Sequence, residues 1–397
     1  MKRTTQNRFK ALTSACVLSL MATVAWSQQP SITWLGVLPR GRESVAHGVS
    51  QDGNVVVGIA IDENARQRAF RWTRTGGMQD LGTLGGTEAA ALGVSANGSV
   101  VVGWTRNTNG YRRGFRWSSG TMQELHAGYS TDYPTFATCV SASGAVVAGY
   151  AERIHNQRRF RAFRWTQTGG YQYLDVFGGS DSNSYAYGIS LDGTVVVGTA
   201  QDSRGLYHAF RQQFPGSMEY LGTLGNEESD SESVAYAASG DGSVVVGRAE
   251  NQDGYFRPFR WTRQTGMVDL GTLGGNQGEA RAVSGDGSVV VGWANDEYGV
   301  PRAFRWIAGR GMQNLNEVYA SLLADGSELQ IAHAISPNGR YIVGSGYNAA
   351  TGRTEAFLLD TAGTTGCRLD ADVNRDGTVD DADLLQVLFN FGSSCGN

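Results

Sequence analysis

Lysine is almost absent from this chain of 397 residues, in which Lys2 and Lys10 are the only two. A protein that loses its first residues has no lysine for a phosphate-cradling loop, a Schiff base or a pyridoxal site, so these enzyme classes are excluded. Histidine is scarce too, with five residues. The sequence contains no HExxH and no zinc-type cluster of Cys and His, which argues against a metal hydrolase, and no GxSxG lies between a predicted strand and a helix, as the elbow of a serine hydrolase requires.

Cysteine is equally rare, with four residues. Cys139 stands where comparable segments carry a glycine, which predicts a small buried thiol on a strand. Cys367 and Cys395 enclose the C-terminal tail, and in an exported protein they are expected to form a disulfide. Closing a loop of about 29 residues would stabilise the tail by about 3 kcal/mol.

The N-terminus has the pattern of a secretory signal peptide. Four basic residues and no acidic residue accompany a short apolar run, residues 11–26, and a small-x-small site precedes Gln28. An uncleaved anchor is the alternative, but the run is short for a membrane span. We expect cleavage after Ser27 and a secreted protein, extracellular or at the cell surface, with no membrane span. Cleavage takes the net charge from −4 to −8, which argues against a nucleic-acid partner.

Up to residue 360, the chain that follows repeats one unit of about 45 to 53 residues seven times. Each copy has a glycine that closes a valine run, at Gly58, Gly103, Gly149, Gly198, Gly247, Gly292 and Gly344. Each also has the phenylalanine of an "AFRW"-like segment, at Phe70, Phe115, Phe163, Phe210, Phe259, Phe304 and Phe357. Asp-Gly or Asn-Gly pairs such as Asp52-Gly53 separate the first two of four short strands in most copies.

Seven units of four antiparallel strands predict an all-β fold, a seven-bladed β-propeller. Continuous apolar runs such as Val55–Val57 indicate strands covered on both faces, as in a blade between two neighbours. The last unit lacks its fourth strand, whereas the segment Trp34–Leu38 is a fourth strand without a preceding unit. We therefore expect an N-terminal strand to complete the last blade and close the ring.

Most recurrent residues have a structural explanation. The tryptophan of "AFRW" is expected to pack between blades. The arginines of this segment, Arg71, Arg116 and Arg260, are expected to pair with the acidic residues of the next strand, which are Asp80, Glu124 and Asp269. These predicted ion pairs are structural and not catalytic.

One variable position near the start of each unit is the candidate ligand site. It is occupied by His47, Leu92, Thr138, Tyr187, Tyr236, Arg281 and His333. The sevenfold repeat predicts that these residues form a ring near the mouth of the propeller that carries the loops between second and third strands. They could line the entrance to a central pocket, or they could simply pack between blades. The variable loops, which are polar and contain tyrosine, are a second candidate surface.

The tail after residue 360 has a different composition. Oxygen-bearing residues occupy the ligand positions of an EF-hand-type loop, at Asp372, Asn374, Asp376, Thr378, Asp380 and Asp383. Alternating oxygen ligands around a glycine suit calcium, and an apolar helix is expected to follow. The predicted domains are a signal peptide (1–27), the propeller (28–360), a linker (361–366) and the calcium module (367–397).

Two family resemblances follow from these motifs. The "GVS-x-DG-x-VVVG" and "AFRW…LGTLGG" motifs, with His208-Ala209-Phe210 in the fourth copy, resemble the extracellular HAF-family repeat over residues 35–360. The tail resembles one repeat of a type I dockerin, including Asp383 at position 12 of the loop. The first resemblance implies an extracellular location. The second implies calcium binding and a cohesin-like partner, although dockerins carry two loop-helix units and this chain has one.

Two functions remain open at the level of sequence. The first is an exported, non-enzymatic and monomeric scaffold that recognises a glycan or a protein at the cell surface and uses its tail for anchoring or assembly. The second is a carbohydrate-active enzyme, a glycoside hydrolase or lyase. A glycoside hydrolase would need two carboxylates facing each other across a pocket, and the sequence singles out no such pair.

Overall fold

The computed structural model describes residues 29–125, 134–154, 159–225 and 230–361. Seven sheets of four antiparallel strands contain nearly all of the regular structure in these residues, and the sevenfold propeller prediction is confirmed. The first strands of the blades are β2 (Glu43–Val49), β6 (Gly85–Val94), β10 (Thr135–Val140), β14 (Ser184–Ile189), β18 (Ser233–Ala238), β22 (Gly274–Val283) and β26 (Glu328–Ile335). The second strands are β3 (Val55–Ile61), β7 (Val100–Asn107), β11 (Val146–Ile154), β15 (Val195–Gln201), β19 (Val244–Glu250), β23 (Val289–Asp296) and β27 (Tyr341–Asn348).

The third and fourth strands complete each blade on its outer side. The third strands are β4 (Gln67–Thr73), β8 (Arg112–Ser118), β12 (Arg159–Thr166), β16 (Tyr207–Gln213), β20 (Phe256–Thr262), β24 (Pro301–Ile307) and β28 (Arg353–Asp360). The fourth strands are β5 (Gly77–Asp80), β9 (Thr121–Glu124), β13 (Gly170–Tyr173), β17 (Met218–Tyr220), β21 (Gly266–Asp269), β25 (Gly311–Asn314) and, in the seventh blade, β1 (Ser31–Trp34). A short helix, α1 (Leu315–Val318), and a 3₁₀ turn (Ala320–Leu322) follow β25.

The ring closes through the N-terminal strand, as predicted, but the strand lies earlier in the chain. β1 pairs with β28 from Ser31 to Trp34, whereas the sequence placed this strand at Trp34–Leu38. Leu35 N still donates a hydrogen bond to Ala356 O at 2.9 Å, but Gly36 has a φ of +71° and turns the chain away from the sheet. Gly36 therefore ends the pairing.

The glycine and phenylalanine landmarks of the repeat meet inside each blade. Gly58 pairs with Phe70 across β3 and β4, and Phe70 is fully buried. A Cβ at Gly58 would collide with the carbonyl oxygen of Val45 and would lie 2.9 Å from the Phe70 ring. The six other landmark glycines are also in contact with the first strand of their blade. Glycine therefore recurs at this position because a larger residue would collide with the first strand and with the phenylalanine ring.

The predicted ion pairs are wrong, because the arginine that pairs with each acidic residue lies three positions earlier in the chain than predicted. Asp80 lies opposite Phe70 in the β4–β5 register, so its side chain shares a face with Arg68 and not with Arg71. Arg68 accordingly forms the ion pair with Asp80 at 2.7 Å. The equivalent pairs are Arg113 with Glu124 at 3.0 Å and Arg257 with Asp269 at 3.2 Å.

The arginines of "AFRW" instead contact the next blade. Arg164 and Arg211 donate to the carbonyl oxygens of Gly193 and Gly242, at 3.0 and 2.8 Å, in the turns of the following blades. The tryptophans lie on the opposite face, where Trp72 packs against Val343 and other residues of the seventh blade. The prediction that they pack between blades is confirmed.

The turns between first and second strands are linked around the molecule. In blades one to six, the N–H of the residue after the turn serine donates to the equivalent carbonyl of the next blade at 2.8–3.0 Å, along Gln51, Ala96, Ala142, Leu191, Gly240, Gly285 and Pro337. Pro337 has no N–H, so the seventh link is made by Asn338, whose Nδ2 donates to Gln51 O at 2.8 Å. We call these seven bonds the hydrogen-bond circle.

Candidate binding site in the central channel

The first strands of all seven blades surround one axis, since each contacts the first strands of both neighbouring blades. Each first strand carries a β-bulge at the same place. In β2, for example, Ala46 pairs with Gly58 and Gly48 pairs with Val57, which leaves His47 unpaired between them. The other bulged residues are Leu92, Thr138, Tyr187, Tyr236, Arg281 and His333. The variable position of the repeat is therefore the extra residue of a bulge, a device that re-aims a side chain.

These seven residues, the channel ring, all line one cavity of about 200 Å³. All seven are partly accessible to solvent. The structure therefore brings the seven residues of the variable position together around one cavity. The sequence predicted that the ring lies near the end of the propeller that carries the loops between second and third strands. The cavity instead extends towards the opposite end, because Leu191 and Pro337 of the hydrogen-bond circle also line it.

Two histidines and an arginine form the polar side of the ring. The imidazoles of His47 and His333 meet edge to face with their centroids 5.0 Å apart. Burial, and then the charge of Arg281, lowers the pKa of His47 from 6.5 to about 4. Burial also lowers the pKa of His333 well below 6.5, with further contributions from His47 and Arg281. Both histidines are therefore neutral at pH 7.

Arg281 belongs to a buried charge cluster beside the cavity. Glu279, which is 4% exposed, accepts hydrogen bonds from Arg248 at 2.5 Å and from Trp293 Nε1 at 3.1 Å, and it also forms an ion pair with Arg281. The Arg281 guanidinium lies over the ring of Tyr236, 4.7 Å from the centroid. The cluster holds the guanidinium of Arg281 at the cavity wall.

An aromatic wall adjoins this cluster. Tyr236 contacts Tyr187 at a centroid distance of 5.8 Å, and Tyr187 lies parallel to Tyr185 at 6.4 Å. Tyr185 contacts Tyr150, which stacks on Phe136 at 4.7 Å. Burial raises the pKa of each tyrosine in this series above 10. The phenols therefore stay neutral and can donate hydrogen bonds.

The remaining side of the ring is less polar. Leu92 and Thr138 lie there, and Thr138 Oγ1 donates to the carbonyl of Ala186 at 2.8 Å. Cys139 also borders the cavity as a free, half-buried thiol, and burial raises its pKa to about 12. The thiol is protonated at neutral pH and is a poor nucleophile.

Sequence reasoning missed Glu279 and Arg248. A signal was present, since the position two residues before the ring residue is Glu279 in the sixth unit and apolar or aromatic in the other six. The calcium loop, the Cys367–Cys395 disulfide and the signal peptide lie outside the described residues. Within the described residues, no group of three or more His, Cys, Asp and Glu side chains could hold a metal ion, and no helix has the length and apolarity that a membrane span requires.

Comparison with known proteins adds support for the fold. No family model and no curated protein matches the chain. Among solved structures, it is similar to an oligogalacturonate lyase from Vibrio parahaemolyticus, with a TM-score of 0.53 and 11% identity over 84% of this chain and 94% of that one. A puromycin hydrolase gives a TM-score of 0.50 with 14% identity over 80% of this chain and 53% of that one. TolB from Acinetobacter baumannii gives 0.43 with 11% identity over 81% and 64%.

These identities are low, and the likeness is one of fold alone. The chain spans about half of the hydrolase and less than two thirds of TolB, but nearly all of the lyase. The propeller is therefore supported by the lyase and the hydrolase, whose activities are not transferred with it.

Proposed function

We propose that this protein is an exported, non-enzymatic propeller that recognises a glycan at the cell surface through its central channel. The observation that carries the proposal is the channel ring, in which every blade contributes one bulged side chain to a single cavity. The ring contains aromatic and hydrogen-bonding side chains but no carboxylate. Such a lining suits binding more than glycoside hydrolysis, which needs two carboxylates.

The aromatic wall is better suited to bind a glycan than to bind the surface of another protein. Neutral phenols such as those of Tyr187 and Tyr236 offer both a flat apolar face for a sugar ring and a hydroxyl for its polar edge. The cavity of about 200 Å³ is smaller than the sites that hold drug-sized ligands. The cavity would accommodate one terminal unit of a longer ligand. A side chain of a surface protein could also fill it, and a surface protein is therefore the second candidate partner.

A carbohydrate lyase is the second candidate function. It is favoured by the neutral imidazoles of His47 and His333 beside the guanidinium of Arg281, because such a group could remove a proton from a substrate whose charge the arginine neutralises. A hydrolase is less consistent with the cavity, since Glu279 already accepts bonds from two arginines and a tryptophan.

Binding and catalysis can be separated in one experiment. The mature protein, residues 28–397, is screened against immobilised polysaccharides and cell-envelope fractions, and each positive is assayed for reducing sugar and for unsaturated products. We expect binding without product. The variant Tyr187→Ala should weaken binding, whereas Tyr298→Ala, which alters a loop tyrosine that is 81% exposed, should not. Formation of an unsaturated product would reject the non-enzymatic function in favour of a lyase. Equal glycan binding by both variants would show that the central channel is not the binding site.

We further propose that the tail binds calcium through Asp372, Asn374, Asp376, Thr378, Asp380 and Asp383, and that it anchors or assembles the protein, possible partners including a cohesin-like module. Calcium titration by calorimetry of the mature protein should show one site, and the double variant Asp372→Ala/Asp376→Ala should lack it. Glycan binding by the propeller should survive chelation and removal of residues 362–397. Undiminished calcium uptake by the double variant would reject this ligand set.

A further inference from the structure

The charge cluster beside the cavity has an excess of positive charge. Glu279 supplies one negative charge, whereas Arg248 and Arg281 supply two positive charges around it. The Nε atoms of both arginines are buried and have no hydrogen-bond partner among the described residues. Arg281 lines the cavity, so the excess positive charge of the cluster favours an anion at this wall.

The same cavity can take up a proton. His47 and His333 are neutral in the free protein, because burial and Arg281 disfavour their protonated forms. The titratable or charged groups around them are Arg281, Glu279 and Arg248 on the sixth and fifth blades, Tyr187 and Tyr236 on the aromatic wall, and Cys139 on the opposite side. Neither the tyrosines nor the thiol add negative charge at neutral pH. An anion would therefore be the first negative charge to face the imidazoles directly.

We propose that the cavity binds the carboxylate of an acidic sugar, with Arg281 as its principal partner and with uptake of a proton by His47 or His333. This inference rests on the proposed glycan recognition and specifies the class of glycan. Arg281 donates to the carboxylate, and the protonated imidazole supplies a second charge-assisted donor. The neighbouring phenols of Tyr187 and Tyr236 contact the sugar ring.

The geometry favours an anion over a metal ion. Two imidazoles 5.0 Å apart could begin a metal site, but the guanidinium of Arg281 lies close enough to lower the pKa of both. A charge that repels a proton also repels a metal cation. A carboxylate has the opposite sign and offsets the excess positive charge of Arg248 and Arg281 around Glu279.

The test uses glucuronate, glucose, N-acetylglycine and inorganic phosphate as probes of the mature protein. Calorimetry at several pH values, in two buffers of different ionisation enthalpy, measures affinity and proton uptake together. We expect glucuronate to bind with net uptake of up to one proton and glucose not to bind. Affinity should rise by up to tenfold for each pH unit below 7, as linkage to one proton requires.

Two variants and one spectroscopic measurement locate the site. Arg281→Gln should weaken glucuronate binding at least tenfold, whereas Arg40→Gln, on the surface beside Glu63, should leave it unchanged. Because the chain has five histidines, nitrogen-15 labelling of their side chains resolves each titration in the unaltered protein. Glucuronate should raise the pKa of His47 or His333 there, so the test stands even if Arg281→Gln fails to fold.

Each contrary outcome has a distinct meaning. Equal binding of glucuronate and glucose, or no effect of Arg281→Gln, would overturn the acidic sugar while glycan recognition stands. Tighter binding of N-acetylglycine or phosphate would assign the cavity to another anion and overturn the sugar. Failure of glucuronate to bind would overturn the inference as well. An envelope and polysaccharide screen without any positive, or one in which a positive yields product, would reject the proposed function itself.

Discussion

At the scale of single residues, most residues that recur in every unit are required by packing and not by a chemical function. A Cβ at any landmark glycine would overlap a backbone carbonyl of the first strand, and the landmark phenylalanines fill the middle of each blade with no exposed surface. Function is expected where identity varies between units, at the seven bulged positions. Substitutions can therefore test the packing at a landmark glycine and the charge of the ring histidines.

The packing test replaces Gly58 with alanine. The added Cβ would meet the Val45 carbonyl and the Phe70 ring, so we expect a loss of about 3 kcal/mol in the free energy of unfolding, near the upper end for overpacking. The matched control is Gly179→Ala, where a Cβ meets no atom within 4 Å. Denaturant unfolding measures both. A Gly58 variant as stable as the control would contradict the steric account.

The charge test follows stability from pH 7 to pH 4. His47 has a pKa of about 4 in the folded protein, below its ordinary 6.5, so the unfolded chain binds more protons between these values. Stability is therefore greatest above pH 6.5 and falls towards pH 4, by at most about 3 kcal/mol for this histidine. The double variant His47→Gln/His333→Gln should lose less stability over this range. Parallel curves for the two proteins would contradict the prediction.

At the scale of elements, the turns do more than reverse the chain. Within a turn, Ser50 Oγ accepts from Val55 N at 3.0 Å and donates to Asp52 at 2.6 Å. Between blades, the hydrogen-bond circle joins each turn to the next. The Ser-x-Asp-Gly motif is thus explained by turn geometry and needs no catalytic role.

The circle predicts a difference between two equivalent asparagines. Asn338→Asp keeps the acceptor that the turn uses, as Asp52 does in the first blade, but removes the Nδ2 donor to Gln51. We expect a loss of about 1 kcal/mol, the usual value of one hydrogen bond. Asn97→Asp, in the second blade, should cost less because no such link is made there by its side chain. Thermal unfolding of both variants provides the comparison, and equal losses would argue against the seventh link.

At the scale of the whole molecule, closure depends on one short strand from the N-terminus. β1 supplies the outer strand of the seventh blade, and Trp34 meets Phe357 edge to face at 6.2 Å. Ser44 Oγ adds to the closure by accepting from Ala356 N at 2.9 Å. The first and last blades are therefore joined by side-chain, backbone and apolar contacts.

Deleting residues 28–34 tests this closure. The loss of the four-residue pairing of β1 with β28 and of the Trp34 side chain should cost about 5 kcal/mol, with about 1 kcal/mol for each strand hydrogen bond. It should also expose the β28 edge and promote association. Unfolding and light scattering, compared with the protein beginning at residue 28, measure the two effects. An unchanged, monodisperse and equally stable protein would show that the remaining contacts close the ring without β1.

The sequence by itself determined the number of blades, their four strands, the turns between the first two strands and the closure by an N-terminal strand. It could do so because these features depend on local periodicity and on glycine positions that recur in every unit. It also selected the seven ring residues, since they vary between fixed small neighbours.

Only the tertiary structure decided how those residues act together. A single bulge turns each of them towards the channel, and the β4–β5 register places Asp80 opposite Phe70, on the face of Arg68 and not of Arg71, which the pattern had suggested. The cluster of Glu279 with Arg248 and Arg281 joins two blades. Side chains more than 30 residues apart in sequence meet there because the ring closes, and no local pattern carries that information.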